Sequence, residues 1–349
     1  MRQKSNAKKR KETASSIFPV SPPQICIIIE KIKAKTGKGH HMKYFDLHCD
    51  TASECCKKGL GLSYNGLHIS LEKTERFERW AQVFAVWISD DLRGEAAFRY
   101  FQEVTADFKR KLSAEKGKAP VFCVDGPELE KADSAGKNMA LLSIEGGAAL
   151  GGELSHLNEA WETGVRLMTL TWNGPNELGD GCMTPGADGL ARFGKEVVKQ
   201  MGELGMVVDV SHLSEKGFWD VARLAKGPFV ATHSDSKAVE DHPRNLTDDQ
   251  FREIAQRGGL VGLNLYAPFV GGEGSIDGLL RHAEHFLELG GEGTVAVGAD
   301  FDGCKLRAEI QGVGDMGLLY DAMRARFGEE IADGIFFRNA YRFFTAAYR

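Results

Sequence analysis

The stretch KYFDLHCDT, residues 43–51, is the segment from which the fold of this chain is most directly predicted. A short aromatic and apolar run ends at His48 and Asp50, which lie two positions apart. Successive side chains of a β-strand point to opposite faces, so these two would point the same way and Cys49 the opposite way. An imidazole and a carboxylate aimed at one spot indicate a metal or proton-transfer site.

Seven similar segments follow, and amphipathic helical patterns separate most of them. The predicted strands are residues 44–48, 81–88, 140–145, 166–172, 206–212, 228–233, 260–266 and 294–300. The helical patterns cover 94–115, 155–163, 189–204, 214–225, 247–257 and 276–290, and two further helices are expected at 316–327 and 329–346. This alternation indicates parallel βα units, and eight units favour an α/β fold of the closed (β/α)8 TIM-barrel type with extra C-terminal helices.

Residues with ligand-type or aromatic side chains end most of these strands. In chain order they are His48, Asp50, Glu145, Trp172, His212, His233, Tyr266 and Asp300. Side chains at the carboxyl ends of barrel strands converge on one mouth. Each residue alone has an ordinary explanation, because a single His is commonly a core residue and a single Asp a turn or N-cap residue. Three His, two Asp and one Glu on one rim together predict a metal site.

The residue types favour a pair of metal ions. Two divalent ions about 3.5–4 Å apart need carboxylates to offset their charge, and one carboxylate commonly bridges them. We expect His48 and Asp50 on one ion, His212 and His233 on the other, and Glu145 between them. Zinc suits this mixture of nitrogen and oxygen ligands, although Mn and Co are not separated from it by sequence.

Asp300 lies on the eighth strand, away from the expected bridging carboxylate. A water between two such ions ionises near neutral pH and becomes a nucleophile as a metal-bridging hydroxide. Asp300 is expected to act as general acid/base, taking a proton from this water and passing it to a leaving amine. The set is that of an amide hydrolase. His156, His282 and His285 lie in helical patterns instead and are predicted to be surface residues.

Charge and composition limit the partners. Residues 1–41 hold ten Lys or Arg and two Glu, whereas the whole chain has a net charge of −5. The rest of the chain, after residue 41, is therefore acidic. This argues against nucleic-acid binding, because contacts of basic side chains with phosphates dominate the affinity for nucleic acids. Residues 1–41 are predicted to be a disordered basic extension, and residues 42–349 a single metallohydrolase domain.

The cysteine spacing and the length of the apolar segments indicate the cellular location. The seven cysteines show no zinc-finger spacing, and no run reaches the length of a membrane span or a secretory signal. We therefore expect a cytoplasmic protein that does not bind membranes. A homodimer is common among such barrels, but nothing in the sequence requires one.

The motifs, taken together, resemble those of the membrane (renal) dipeptidase family of zinc peptidases. The order and spacing agree from about Tyr44 to Phe344. The resembling stretches are DLHCDT (46–51), LLSIEGGAAL (141–150), GMVVDVSHLS (205–214), PFVATHS (228–234), HPRNLTDDQ (242–250) and GADFDG (298–303). The resemblance implies a barrel with two zinc ions per chain and hydrolysis of dipeptides, often with tolerance for a D-residue at the C-terminal position.

The resemblance implies the metal ligands and the proton-transfer residue proposed above. It adds Arg244 and Tyr266, which would hold the free carboxylate of the substrate. Trp172 departs from the mammalian pattern, in which a His after this strand contacts the substrate carbonyl. Its indole has one N–H donor and no acid–base function, so Trp172 would either donate to a developing oxyanion or form a pocket wall.

Three functions remain open from the sequence. The first is a zinc dipeptidase. The second is a related binuclear-metal amidohydrolase that acts on a non-peptide amide, lactam or ester, which the HxD opening and Glu145 disfavour. The third is a non-hydrolytic family member that retains the metal site, which the complete set of ligands and Asp300 disfavours.

Overall fold

The computed structural model describes residues 42–115, 117, 119–306 and 309–348. The basic extension predicted for residues 1–41 lies outside this part of the chain, and its disorder stays a prediction, as does the single domain. The described residues form a curled parallel sheet with helices packed around it. None of the described helices combines the length and the apolar character needed to cross a membrane.

Eight strands form the sheet, and each pairing between them is parallel. They are β1 (Lys43–Cys49), β2 (Arg79–Trp87), β3 (Val121–Phe122), β4 (Met139–Glu145), β5 (Val165–Thr169), β6 (Val207–Asp209), β7 (Val261–Leu263) and β8 (Val295–Val297). The order is β6-β5-β4-β2-β1-β8-β7, and the short β3 pairs with β4 beside this path. The predicted α/β class with a parallel sheet is therefore confirmed, and β3 is the strand that the sequence pattern does not predict.

The predicted strand 228–233 is not a regular strand. It forms single parallel bridges instead, from Val230 to Asp209 and from Ala231 to Val261. The segment thus contacts both β6 and β7, which are the ends of the regular sheet path. The regular strands form a curled sheet that they do not close, so a fully closed barrel stays a prediction.

At the end of this segment, side-chain oxygens accept the hydrogen bonds of backbone N–H groups that would otherwise pair with a neighbouring strand. This explains why the strand is irregular. The backbone N–H of Thr232 donates to Asp209 Oδ1 at 3.0 Å, and that of His233 donates to Ser211 Oγ at 3.2 Å. A backbone donor that is satisfied by a side chain no longer pairs with the neighbouring strand. His233 therefore leaves the sheet at a position set by two polar side chains.

An irregularity in β1 redirects its last residues. Asp46 is opposite Gln82, whereas Cys49 is opposite Phe84, so three steps along β1 match two along β2. An extra residue of this kind shifts the alternation of side chains by one. Cys49 then packs in the core beneath the helices, and His48 points to the other face.

Helices connect the strands and follow most predicted bounds closely. They are α1 (Thr51–Lys58), α2 (Leu71–Thr74), α3 (Gly94–Ala114), α4 (Gly126–Ser134), α5 (Ser155–Glu162), α6 (Arg192–Leu204), α7 (Glu215–Leu224), α8 (Asp248–Gln256), α9 (Ala267–Val270), α10 (Ile276–Glu288), α11 (Met316–Phe327), α12 (Glu329–Asp333) and α13 (Asn339–Ala347). The pattern does not predict α1, α4 and α9, which are short. A π-helical turn, Gly334–Arg338, divides the last predicted helix into α12 and α13.

The core covers one end of the sheet and leaves the other end free. A cluster that includes Phe45, Val83 and Leu141 packs against aromatic residues of the C-terminal helices. The rings of Phe45 and Phe344 stack with centroids 5.3 Å apart. Leu141 and Glu145 lie on the same face of β4, because they are four residues apart. The carboxyl ends of the strands therefore remain available for polar side chains.

Candidate metal centre and active site

Four buried side chains converge at the carboxyl ends of the strands, with Glu145 at the centre. Its Oε2 lies 3.3 Å from His48 Nε2, and its Oε1 lies 3.0 Å from His212 Nε2 and 3.5 Å from His233 Nε2. Each of the four is at most 7% exposed. One carboxylate thus contacts imidazoles on both of its oxygens, which is the geometry required of a bridging ligand.

Asp50 and Asp300 lie on the His48 side of this cluster. Asp50 Oδ1 is 3.8 Å and Asp300 Oδ1 is 4.0 Å from His48 Nε2. One ligand atom from each of the three falls within 4.8 Å of the others. A Cβ at Gly303 would lie 2.3 Å from both Asp300 Oδ1 and Asp50 Oδ2, so glycine leaves the space that these carboxylates occupy.

Hydrogen bonds behind two of the imidazoles determine which nitrogen faces the cluster. His212 Nδ1 lies 2.9 Å from the acceptor Asn173 Oδ1 and therefore carries a proton. The Thr232 hydroxyl donates to Asp209 Oδ2 at 2.6 Å, so it accepts from His233 Nδ1 at 2.7 Å. Both Nε2 atoms then present lone pairs, 2.9 Å apart. Lone pairs so close repel each other unless a cation shares them, which fits a metal ion.

Buried atoms without partners also fit a metal. Among the described residues, His48 Nε2, Asp50 Oδ1 and Glu145 Oε2 are buried and make no hydrogen bond. Burial lowers the pKa of His48, but Glu145, Asp50 and Asp300 outweigh it and raise this pKa to about 10. Burial, followed by repulsion from Glu145, raises the pKa of Asp50 well above its usual value. Both raised pKa values reflect the negative charge that the buried carboxyl groups of this cluster bring together, which divalent cations would offset.

The backbone is strained at these residues. His212, Asp300 and Asp302 have φ values of 65°, 59° and 68°, and no other non-glycine residue in the described ranges has a positive φ. Such a conformation costs of order 1–3 kcal/mol, and it persists only where the surroundings impose it. The carbonyl of His212 accepts from Cys182 N at 2.7 Å, and that of Asp300 accepts from Cys304 N at 3.2 Å. The strain is concentrated at the ends of strands that supply site residues.

A cavity of about 610 Å³ opens over the cluster. Trp87 and Trp172 form one wall, with ring centroids 5.0 Å apart and an angle of 79° between the rings. Tyr266 and Phe269 form another, with centroids 4.9 Å apart. The Trp172 ring lies 6.5 Å from that of His212. Two walls are aromatic and the floor is charged, which suits a small substrate with a polar reactive group.

Arg244 lies behind this cavity and does not line it. It is 4% exposed, and its Nη2 donates to His233 O at 3.0 Å while Nη1 donates to Ser234 Oγ at 3.2 Å. The guanidinium lies over the Phe269 ring at 5.2 Å. Burial and then the charge of Arg244 lower the pKa of His212 to about 4, which favours the neutral imidazole that binds metals.

The prediction that three helical histidines are surface residues is wrong for His282, which is fully buried. Its Nδ1 accepts from Ser236 N at 3.0 Å, and its Nε2 donates to Val270 O at 3.0 Å. His156 and His285 are partly buried. The helical period identifies the residues that share a face, but it does not reveal which backbone groups lie opposite that face.

Several residues of the site are not among those that the sequence singles out. Trp87 and Asn264 lie at strand ends like the predicted residues, and that position was the available signal. Asp209 and Thr232 orient His233 from within the sheet, and no local pattern marks them.

Comparisons with known proteins agree with this architecture. The sequence model of the membrane dipeptidase family (peptidase family M19) matches residues 39–348. An uncharacterized protein encoded in the pqqA 5′ region of Klebsiella pneumoniae is 35% identical over 234 residues, which are 63% of this chain and 86% of that protein.

Two solved structures are also similar. The dipeptidase AC, a metallo peptidase of family M19, has a TM-score of 0.83 at 28% identity, over 88% of this chain and 99% of that chain. A metallo peptidase from Rhodobacter sphaeroides, liganded with a phosphinate mimic of the dipeptide L-Ala-D-Ala, has a TM-score of 0.82 at 27% identity. It covers 89% of this chain and 100% of its own.

The Thr232 hydroxyl is expected to matter for metal binding, because it orients the His233 imidazole. Thr232→Val should weaken metal affinity by roughly 10–100-fold, as loss of such an orienting partner typically does. Titration with zinc against a competing chelator measures this. Thr105→Val is the matched control, since the buried Thr105 hydroxyl has no partner atom within the described structure. Equal zinc affinity in both variants would contradict the orienting role.

Proposed function

Because this chain belongs to the membrane dipeptidase family, peptidase family M19, it is a metal-dependent dipeptidase, and we propose that it hydrolyses dipeptides at a binuclear zinc site built around Glu145. The observation that carries the proposal is the contact of both Glu145 oxygens with imidazoles from different strands. The lone pairs that face one another on two of these imidazoles support it.

In this proposal His48 and Asp50 would hold one zinc ion, His212 and His233 would hold the second, and Glu145 would be the ligand that the two ions share. When bound, the ions supply a water molecule of lowered pKa and polarise the amide carbonyl. Zinc is the metal that best suits these nitrogen and oxygen donors, and availability decides between it and similar ions. The residues that orient the imidazoles keep the ring nitrogens in the form that binds a cation.

Asp300 is proposed to move the proton. Its Oδ1 faces the cluster, 4.0 Å from His48 Nε2, while Asn264 Nδ2 donates to its Oδ2 at 3.3 Å. Burial raises the pKa of Asp300 to about 6, against the opposing effect of His48. A carboxyl group with a pKa near neutrality exchanges protons readily in both directions. Asp300 would accept a proton from the attacking water and return it to the leaving amine nitrogen.

The substrate is proposed to be a dipeptide with a free C-terminal carboxylate, including one with a C-terminal D-residue. The Rhodobacter sphaeroides relative carries a mimic of L-Ala-D-Ala, which supports this range. Tyr266 lines the cavity, whereas Arg244 would reach a carboxylate only with its spare Nε–H or after rotating away from Phe269. Trp172 and Trp87 would contact the apolar parts of the substrate.

A second candidate substrate is a non-peptide amide, lactam or ester. The Trp87–Trp172 wall favours it, because an indole beside the metal centre supplies surface and one donor but no acid–base group. The same metal-binding residues would support hydrolysis of either substrate.

We also propose that the sheet closes into an eight-stranded (β/α)8 barrel. The bridges from residues 230 and 231 to β6 and β7 support this closure. In such a barrel the site would occupy the mouth at the carboxyl ends of the strands.

Purified protein should contain two zinc ions per chain and should cleave a panel of L-L and L-D dipeptides. Chelation should abolish cleavage, and added zinc should restore it, because the nucleophile depends on the metal. Elemental analysis and amine release measure the two quantities. Two bound metals without dipeptide cleavage would indicate a non-peptide amide, lactam or ester as the substrate. Absence of bound metal would overturn the proposal of a binuclear zinc site.

Asp300→Asn should retain both metal ions and lose turnover by on the order of 10²–10⁴-fold, because the amide cannot accept the proton. Steady-state kinetics with metal analysis test this. Asp133→Asn, which alters an ion pair with Arg79 at the other end of the sheet, is the control and should keep its turnover. Full activity in Asp300→Asn would assign proton transfer to another group.

Arg244→Ala should raise KM for free dipeptides by on the order of 10–100-fold, because a charge-assisted hydrogen bond to the carboxylate is lost. Carboxyl-amidated analogues should change little. Arg324→Ala, at a half-exposed arginine beside Tyr320, is the control. Equal effects on free and amidated substrates would show that Arg244 acts through its bond to His233 instead.

A further inference from the structure

Asn264 connects two residues of the proposed site, although its side chain carries no chemistry of its own. It follows β7 directly and is fully buried. Its Nδ2 donates to Asp300 Oδ2 at 3.3 Å, and its Oδ1 accepts from the backbone N–H of Tyr266 at 2.7 Å. Its own backbone N–H donates to Asp235 Oδ1 at 3.1 Å. Both ends of the amide and its backbone donor are therefore engaged.

These contacts fix the orientation of the amide. A backbone N–H can only donate, so the atom that faces Tyr266 N must be the amide oxygen. The opposite atom, which faces Asp300, is then always the NH2 group. Asp300 Oδ2 is thereby held as an acceptor, and it is disfavoured as the place where Asp300 carries a proton.

The other oxygen of Asp300 is in a different environment. Oδ1 lies 4.0 Å from His48 Nε2 and faces the metal-binding cluster. A Cβ at Gly303 would lie 2.3 Å from this oxygen, so the absence of a side chain there keeps it accessible. With Oδ2 occupied by the amide, Oδ1 is the oxygen that remains for proton exchange.

We propose that Asn264 is a positioning residue that makes Oδ1 the proton-carrying oxygen of Asp300 and aligns Tyr266 on the same cavity. This inference rests on the proposed function, because it assumes that Asp300 transfers the proton. The proton moves from the attacking water to Asp300 Oδ1 and then to the leaving amine nitrogen, so Asn264 itself neither gains nor loses one.

Two substitutions separate this role from structural support. Asn264→Asp preserves shape and the acceptor for Tyr266 N, but it replaces the donor with an oxygen that faces Asp300 Oδ2. Two adjacent carboxyl groups would share a proton on the Oδ2 side, where it is useless for transfer. Asn264→Ala removes both contacts and leaves Asp300 free to rotate.

Kinetics, metal content and Tm should be measured for both variants. We expect Asn264→Asp to lower kcat by roughly 10–100-fold with little change in KM, and Asn264→Ala to lower kcat less while raising KM. Both should retain the wild-type amount of zinc. Structural support alone predicts the reverse order for kcat, because the isosteric variant disturbs packing less than the truncation does.

Asn339→Ala is the matched control. Asn339 is also buried and donates to two backbone carbonyls, of Glu292 and Val295, at 2.8 Å each. It should lower Tm without the loss of kcat. Higher kcat in Asn264→Asp than in Asn264→Ala, lost zinc in the former, or losses that follow Tm as in the control would overturn the inference. Asp300→Asn in the same assay distinguishes failure of this inference from failure of the proposed function. If Asp300→Asn is active, the proposed proton-transfer role of Asp300 is refuted. If it is inactive, only the positioning role of Asn264 is refuted.

Discussion

The buried carboxylate of Asp209 makes the interaction on which the site depends. It accepts hydrogen bonds from the hydroxyls of Thr169 and Thr232, both at 2.6 Å, and from the backbone N–H groups of Ser211 and Thr232 at 2.9 and 3.0 Å. These donors come from three successive strand segments. A buried carboxylate is tolerated because its lone pairs are satisfied in this way. The same bonds end the regular ladder and direct His233 toward the cluster around Glu145.

The cluster that results is electrostatically incomplete without a cation. Carboxyl groups and imidazoles lie buried together, and the positive φ at His212 and Asp300 adds backbone strain to the repulsion between the carboxyl groups. Burial together with the charge of Arg244 keeps His212 in its neutral form. A metal ion would offset the repulsion and use the lone pairs, and this balance connects the fold with the metal-dependent dipeptidase activity of its family.

The aromatic walls of the cavity are organised separately from the cluster around Glu145. Trp87 and Trp172 stand on one side, and Tyr266 and Phe269 on the other. Asn264 links the two functions, because one amide contacts both the proposed proton carrier and the backbone that carries Tyr266. A residue with two such contacts can change turnover and substrate binding together.

By itself the sequence determined the α/β class, the order of the βα units and the kinds of side chain at the strand ends. Strand and helix periods are local, so they can be read from neighbouring residues. Only the tertiary structure decided the extra residue in β1, the irregular segment 228–233, the burial of His282 and the position of Arg244 behind the cavity. Each depends on hydrogen bonds or packing between residues far apart in the chain. Local patterns indicate which residues share a face, whereas their orientation is set by the partners that folding brings opposite them.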